Sequence, residues 1–383
     1  MRIFHLADLH IGKKVNGYSM VDDQRVLLEQ VADLVHTHKP DALILAGDIY
    51  DRRNPPIEAI SLFDAFTSKI VLDEGVPILA IGGNHDGGER LGFSNAIQAK
   101  AGLHLVGSFH WPLPKVRMYD ADGTVDFYLM AYADLAVLHQ MVPETVELDY
   151  PKTMDYLMQH TTLDASARNV LLAHGVVTGS EPAQTCDSER VLSIGGTEYW
   201  QSEALAHFDY VALGHLHGAQ RAGGDHIRYA GSLMQYSFSE ENQKKVMLDI
   251  ELDGQGLAQV NSISLEAPRK LVTLKGNLDQ LLSLPEEARA IQEDYLRIVL
   301  EDEGALIEPM QRLKNVYPNI MLLERTACPL QKRPLSTTVT LSEKRSPIDL
   351  FQSFYTAVME QEPEPAMVKI MTDTFEQLQK EEL

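Results

Sequence analysis

The sequence predicts an α/β protein in three parts: a β-sandwich-like body flanked by helices over residues 1–265, a small α/β unit over 266–335, and a helical tail over 336–383. Three observations lead there. Short apolar runs of buried-strand type (RIFHLA, DALILA, VPILAI, NVLLAH and DYVALG) are spread over the first two-thirds of the chain, with helical periodicity between the first of them. Beyond Gly214 the pattern turns to antiparallel hairpins. From EAPRKLVTLKG (266–276) onward the order restarts as strand, helix, strand, helix, strand.

Arg2–Ala7 opens the chain as a short buried strand. Helical patterns at about 21–38 and 56–73 separate it from the next strands, as parallel βα units require. The stretch Met20–Gln30 reads as a plain amphipathic helix. HIRYAG and then KKVMLDIELDG, with a turn at Asp253-Gly254, close a four-layer or sandwich-like domain near residue 265. In the second unit the expected elements are a helix over Asp279–Glu293, the strand YLRIVLED, a helix over Pro309–Val316 and the strand NIMLLER. That is long enough for a small separate domain. The tail reads as two amphipathic helices, SPIDLFQSFYTAVMEQ and PAMVKIMTDTFEQLQK, split by EPEPA. Leu350, Phe351, Phe354 and Tyr355 recur on one face. Two helices cannot bury such a face alone, so it packs on its own protein or on a partner.

With 44% hydrophobic and 23% charged residues, the chain has the composition of an ordinary globular protein. No apolar run approaches the ~20 residues of a membrane span. The N-terminus opens directly into strand-like sequence, without the basic, apolar and small-residue pattern of a signal peptide. Cys186 and Cys328 lie far apart and form no metal or redox motif, so a reducing, cytoplasmic location is expected. The net charge of −22 weighs against unaided tight DNA binding, because affinity for a phosphate backbone comes from Lys and Arg. It does not weigh against DNA as a substrate held through metal ions, a local basic patch or a partner.

Five of the apolar runs end in residues of one chemical character. HLADLH delivers Asp8 and His10; AGDIYDRR delivers Asp48, Asp51 and Arg52; GGNHDGG delivers Asn84, His85 and Asp86; AHG delivers His174; GHLH delivers His215 and His217. Taken singly these are ordinary. An Asp after a strand is a common turn former, GDxxD occurs in plain turns, and His174 alone reads as a satisfied buried histidine. Asn-His-Asp between glycines has no packing use, however, and HLH puts both imidazoles on one side of an extended segment. Strand C-termini in such a sheet converge on one edge, where ligands bind.

The chemistry that fits is a two-metal hydrolytic site. Divalent ions such as Mn²⁺ accept mixed carboxylate and imidazole ligands. Two of them about 3.5–4 Å apart can clamp a phosphoryl group and activate water for in-line attack. Asp8, His10, Asp48 and His217 serve one ion; Asp48, Asn84, His174 and His215 serve the other, with Asp48 shared. His85 is left free to protonate a leaving oxygen or steady transition-state charge. Asp51 is the expected group to hold His85 in its tautomer, and Arg52 to contact phosphate. Lys13, Lys14, Arg53 and Arg90 join Arg52 on the rim of the site, and Lys244, Lys245, Arg269 and Lys270 would continue that surface into the second unit. His36, His38, His104, His139 and His207 read as surface or structural residues.

In this order, D-x-H, GDxxD, GNHD, H and GHxH resemble the calcineurin-like metallophosphoesterase superfamily, which includes phosphatases, phosphodiesterases and nucleases. A narrower resemblance is to the SbcD nuclease subunit family, the bacterial counterpart of the nuclease of double-strand-break repair complexes. It rests on MRIFHLADLHIGK, GDIYDRRNPP, the long spacer before AHG, DYVALGHLHGAQ and IRYAGSLMQYSFSE. The resemblance implies a metallophosphoesterase sandwich, a capping domain that contacts DNA, and a tail that docks on the coiled-coil base of an SMC-like ATPase, SbcC. It implies a nuclease using two Mn²⁺ ions, with Mg²⁺ or another divalent ion as substitutes. Its activities would be a 3′→5′ exonuclease on double strands and an endonuclease on single strands and hairpins. The setting would be DNA repair, recombination and replication at the nucleoid, with no membrane association. A homodimer within a heterotetramer is also implied, formed through the helices around 56–73 and 94–101. Archaeal and eukaryotic members often carry His where Asp51 stands, so the Asp–His pair of phosphoprotein phosphatases is the closer analogy there. The competing reading is a small-molecule or nucleotide phosphodiesterase or phosphatase on the same residues, which needs neither the capping unit nor the tail. A non-catalytic scaffold would not need every ligand position filled.

Overall fold

Two six-stranded sheets stacked face to face make the main body. The computed structural model describes residues 1–179, 183–189, 199–302, 305–326, 346–359 and 361–381. In chain order the strands of these sheets are β1 (Arg2–Leu6), β2 (Ala42–Ala46), β3 (Ile78–Ile81), β4 (Leu103–Val106), β5 (Lys115–Asp120), β6 (Gly123–Met130), β7 (Arg168–His174), β8 (Tyr210–Gly214), β9 (Gln220–Arg221), β10 (Ile227–Tyr229), β11 (Val246–Asp253) and β12 (Gly256–Ser264). The first sheet has the order β12-β11-β1-β2-β3-β4, with β1 to β4 parallel and the β11–β12 hairpin antiparallel. The second has the order β9-β10-β8-β7-β6-β5, parallel from β10 through β6 and antiparallel at both edges.

The central strands are apolar without alternation because both of their faces are covered. Between the sheets lie Ile3, Ile44 and Leu79 from one side and Phe127, Val170 and Tyr210 from the other. On the outside of the first sheet, Phe4, Leu43 and Leu45 pack against Leu27, Val31 and Val35 of α1 (Val21–His38) and Leu62 and Phe66 of α2 (Ile57–Ser68). On the outside of the second, Tyr128, Leu171 and Leu213 meet Met154, Leu157 and Met158 of α3 (Tyr150–Gln159). Each such buried Leu or Phe contributes about 1.5–3 kcal/mol. The result is the expected helix–sheet–sheet–helix layering. The sequence reading had no strands over 103–130. There β4 and β5 are edge strands, and the KVRMYD run of β5 is only half-buried and mixed in polarity, whereas β6 is an inner strand buried from Val125 to Met130 that the sequence reading also lacked.

A polar side chain stands in the core between the sheets. His5 of β1 is fully buried, with Nδ1 3.0 Å from the hydroxyl of Tyr210 on the facing sheet. Burial, only partly offset by the nearby Leu213 carbonyl, pushes its pKa from 6.5 down to about 3. In the unfolded chain His5 takes up a proton below pH 6.5, whereas in the fold it stays neutral until about pH 3. Its stabilising contribution is therefore complete above 6.5 and is lost, at about 1.4 kcal/mol per pH unit, as the pH falls through that window. Denaturant unfolding at pH 7 and pH 5 should show His5→Gln losing about 2 kcal/mol less than wild type over the interval. Equal losses would mean that His5 is not the titrating group.

A third sheet is formed by β13 (Leu271–Gly276), β14 (Tyr295–Leu300) and β15 (Ile320–Arg325), all parallel, over a separate core of Leu281, Leu296, Ile298, Leu313 and Tyr317. The single helix expected over 279–293 is broken into Leu278–Leu282 and Glu286–Arg289. Pro285 disfavours a helical conformation at the residue before it, and Leu284 takes φ 50°. This unit touches the main body through Tyr18, whose hydroxyl donates to the Ile320 carbonyl (3.0 Å), and through Arg269, which pairs with Asp23 (2.6 Å) and stacks over Tyr295. Pro347–Met359 and Pro365–Glu381 form the tail helices, which pack on each other. Leu350, Phe354, Met367 and Ile370 stay exposed, while Phe351 and Tyr355 are half-buried with their rings 5.9 Å apart. Cys328 and the expected boundary at 335–336 lie outside the described residues.

Candidate metal centre

The C-terminal ends of β1, β2 and β3 in one sheet, and of β7 and β8 in the other, open on the same edge of the sandwich. The turns that follow them are strained. Asp8 (φ 51°), His10 (φ 44°), Asp48 (φ 49°) and His215 (φ 106°) all adopt positive φ without being glycine. Such conformations cost on the order of 1–3 kcal/mol each and persist where surrounding structure over-determines them. Here the Asp8 N–H donates to the Gly47 carbonyl (3.1 Å), the His10 N–H to the Asp48 carbonyl (2.9 Å), and the His215 N–H to both oxygens of the Asp8 carboxylate (2.9 Å). The space is equally specified: a Cβ on Gly83 would stand 2.2 Å from Oδ1 of Asp48, and one on Gly47 2.2 Å from Nδ1 of His174.

Two overlapping sets result. Asp8, His10 and His217 bring ligand atoms within 4.8 Å of one another, and so do Asp8, Asp48 and His174. Asp48 lies between them, its Oδ2 3.6 Å from Nε2 of His10 and 3.5 Å from Nε2 of His174. Asn84 joins the second set, with Oδ1 3.0 Å from Nε2 of His174 and 3.2 Å from Nδ1 of His215. Nε2 of His10 and Nε2 of His217 face each other at 3.1 Å. All seven side chains are buried.

The donor set fits cations. Nδ1 of His174 donates to the Ala46 carbonyl (2.9 Å), so in the neutral ring Nε2 points a lone pair at the carbonyl oxygen of Asn84, itself an acceptor. Two acceptors at that separation need a positive charge between or upon them. The electrostatics agree. Burial pushes the Asp8 carboxyl up to about 7. Burial would likewise raise Asp48, but the His174 and His10 rings hold it well below the usual carboxylate range. For His174, burial opposes charge, yet the Asp48 and Asp8 carboxylates outweigh it and raise the pKa to about 9. Burial lowers His10 and, to about 3, His215. The pocket thus draws positive charge to the point where a divalent ion would compete with the proton.

His85 sits beside this array, its ring 4.8 Å from that of His10, and its N–H donates to Oδ1 of Asp48 (2.8 Å). The expected partnership with Asp51 takes a different form. Nδ1 of His85 donates to the main-chain carbonyl of Asp51 (2.9 Å), not to its carboxylate. The carboxylate instead accepts from Lys13 Nζ (2.8 Å) and lies 3.9 Å from Nδ1 of His10. This is a correction with a simple cause: Lys13, delivered by the turn after β1, competes for the carboxylate and leaves the carbonyl to hold the ring. Lys13 is thereby tied down; Arg52 lies 3.7 Å from the other oxygen of the Asp51 carboxylate and is exposed, like Arg90, at the rim.

Two further expectations about basic residues need correcting. Lys245 is buried and ion-paired with Glu240 (2.6 Å), and Arg269 is committed to Asp23, so neither extends a cationic surface; Lys244 and Lys270 remain exposed. Sequence reasoning also missed two braces. Asp86 accepts from the N–H groups of Ile49 (3.0 Å), Tyr50 (2.9 Å) and Gly83 (2.9 Å), clamping the turn after β2 to the turn after β3. Its place at the end of GNHD was the available signal. Gln24 of α1 is buried and donates to the His10 carbonyl (2.8 Å) while accepting from Gly12 N–H (3.0 Å), so α1 supports the site as well as the core. A glutamine on a helix face carries no such signal in sequence.

Comparison with known proteins adds the following. Residues 1–219 match the model of the calcineurin-like phosphoesterase family, and residues 267–359 match the SbcD_C model, described as the type 5 capsule protein repressor C-terminal domain. Among solved structures, a dimetal phosphatase from Danio rerio is 13% identical with a TM-score of 0.41, covering 70% of this chain and 99% of its own. A protein of Thermus thermophilus is 12% identical with a TM-score of 0.40, covering 69% and 99%.

Proposed function

The chain belongs to the calcineurin-like phosphoesterase family, a metal-dependent phosphoesterase with an SbcD-type C-terminal region, and from that premise we propose that it is the two-Mn²⁺ nuclease subunit of an SbcCD-type complex. It would degrade double-stranded DNA ends 3′→5′ and cut single strands and hairpins, in DNA repair and recombination. The observation that carries this reading is the conjunction within one chain of seven converging side chains that could hold metal with a family match over residues 267–359, which a small-molecule phosphodiesterase does not need.

Two divalent ions, when bound, would clamp the scissile phosphoryl group and activate the attacking water. Asp8, His10 and His217 would hold one and Asn84, His174 and His215 the other, with Asp48 bridging. His85 would serve the leaving group: with Nδ1 fixed on the Asp51 carbonyl, its Nε2 is the atom left to move a proton or steady charge. Arg52 and Arg90 would meet the phosphate backbone, offsetting a net charge of −22 together with the ions.

The same reading assigns two surfaces. Ile57, Ile60, Phe93 and Ile97 are exposed on α2 and the segment around 93–97, the expected homodimer contact. Leu350, Phe354, Met367 and Ile370 of the tail helices would be covered by the coiled-coil base of the SMC-like ATPase. Among the described residues no helix is long and apolar enough to cross a membrane, and a cytoplasmic, nucleoid-associated role is part of the proposal.

The decisive test is hydrolysis with Mn²⁺ of linear double-stranded DNA beside bis-p-nitrophenyl phosphate, with and without a chelator. Metal-dependent loss of DNA from its ends is the expected result. Cleavage of the small diester with DNA left intact, even with the ATPase subunit added, would favour a small-molecule phosphodiesterase instead.

A further inference from the structure

His217 presents Nε2 to the proposed ion pair and turns Nδ1 away from it, onto the hydroxyl of Ser188 at 2.7 Å. That hydroxyl lies 2.5 Å from Oε1 of Glu240. A hydroxyl has one proton, and a carboxylate can only accept. Ser188 therefore donates to Glu240 and offers a lone pair to His217, so Nδ1 carries the ring proton. In the neutral ring Nε2 is then the atom with a free lone pair, 3.1 Å from Nε2 of His10.

Glu240 is itself fixed on every side. It is fully buried, and Lys245, 7% exposed, donates to its Oε2 at 2.6 Å. Tyr236 N–H (3.2 Å) and the Ser237 hydroxyl (3.1 Å) donate to Oε1. Lys245 Nζ also lies within hydrogen-bond distance of the main-chain carbonyl of His217 (2.9 Å), Ser232 Oγ (2.9 Å) and Oε1 of Gln243 (2.8 Å), so its three protons are shared among more acceptors than they number. The His217 N–H, in turn, donates to Oε1 of Glu189 (2.7 Å). An apolar pair of similar volume would often pack as stably as a buried ion pair. What it could not do is hold the proton of an imidazole.

We propose that Ser188, Glu240 and Lys245 form a positioning relay for His217, setting its tautomer and ring rotation so that Nε2 holds one of the two ions; the proposal rests on the two-ion reading above. Metal-binding histidines depend on such partners at the far nitrogen. Here the carboxylate acts through an interposed serine, 3.7 Å being too far for Glu240 to reach Nδ1 directly. The relay is also braced from the small parallel sheet. Glu241, next in the chain, accepts from the N–H (3.0 Å) and hydroxyl (2.6 Å) of Thr273 on β13, and Gln235 accepts from the Leu271 N–H (2.9 Å) while donating to the Glu240 carbonyl (3.1 Å).

The test is Mn²⁺ titration of the full chain by calorimetry and electron paramagnetic resonance, in wild type, Ser188→Ala and Ser188→Thr. Wild type should take up two ions. Ser188→Ala should weaken one of them by about 10–100-fold and leave the other within about twofold, with the metal-free chain still folded and its melting temperature lowered by only a few degrees, the cost of one buried hydroxyl. Ser188→Thr, which restores the hydroxyl, should recover the lost affinity. Two ions at wild-type affinity in Ser188→Ala, or a threonine variant as weak as the alanine one, would overturn the relay while leaving the two-ion site standing. A wild type that takes up fewer than two ions would overturn the two-ion reading itself.

Discussion

Asp48→Asn is expected to lower phosphodiester hydrolysis by at least about a thousandfold, because a two-ion mechanism loses several kcal/mol when its bridge is broken. Asparagine keeps the shape of the side chain but not its charge or its second oxygen. Oδ1 is occupied by the His85 N–H at 2.8 Å, so the variant would keep oxygen there and turn its NH₂ toward Nε2 of His10 and Nε2 of His174, where Oδ2 now stands 3.6 and 3.5 Å away. Neither nitrogen could then share an ion with residue 48. Calorimetric titration should show one Mn²⁺ lost or greatly weakened alongside the activity. Full occupancy by two ions with unimpaired turnover would refute the bridging assignment.

His85→Ala is expected to lower kcat by about 10²–10⁴-fold, the range of a lost general acid–base group, while Mn²⁺ stoichiometry stays at the wild-type value. The separation of effects follows from the geometry. His85 contributes a main-chain N–H to Asp48, which alanine retains, and its ring is oriented by a carbonyl rather than by a ligand. For the same reason Asp51→Asn should cost about tenfold or less, the scale of one hydrogen bond, because the carbonyl that holds His85 survives the substitution. Steady-state kinetics on a diester substrate with both variants would decide between carbonyl and carboxylate. A defect in Asp51→Asn as large as that of His85→Ala would restore the carboxylate to the role the sequence suggested.

Those two residues mark where sequence reading stops. The layered α/β architecture is legible because strands buried on both faces must be apolar throughout, and runs such as DALILA and NVLLAH have no other use. The edge strands over 103–130 are not, since half-buried strands of mixed polarity look like loops. The break at Pro285 was available in the sequence but was overridden by the apolar periodicity around it. Asp8, His10, Asp48, Asn84, His174, His215 and His217 could be assembled from the sequence because each follows an apolar run by one to three residues, and parallel strands carry their ends to one edge.

What the sequence by itself determined is thus which segments are strands covered on both faces in the runs it singled out, and which polar residues those strands deliver. Only the tertiary structure decided who partners whom. Ser188 meets His217 across 29 residues and Glu240 across 52, and Lys13 takes the Asp51 carboxylate across 38. No spacing rule encodes such choices, because a hydrogen bond is lost over a few tenths of an ångström. Placement at that precision comes from packing of the whole sandwich, not from the chain near either partner.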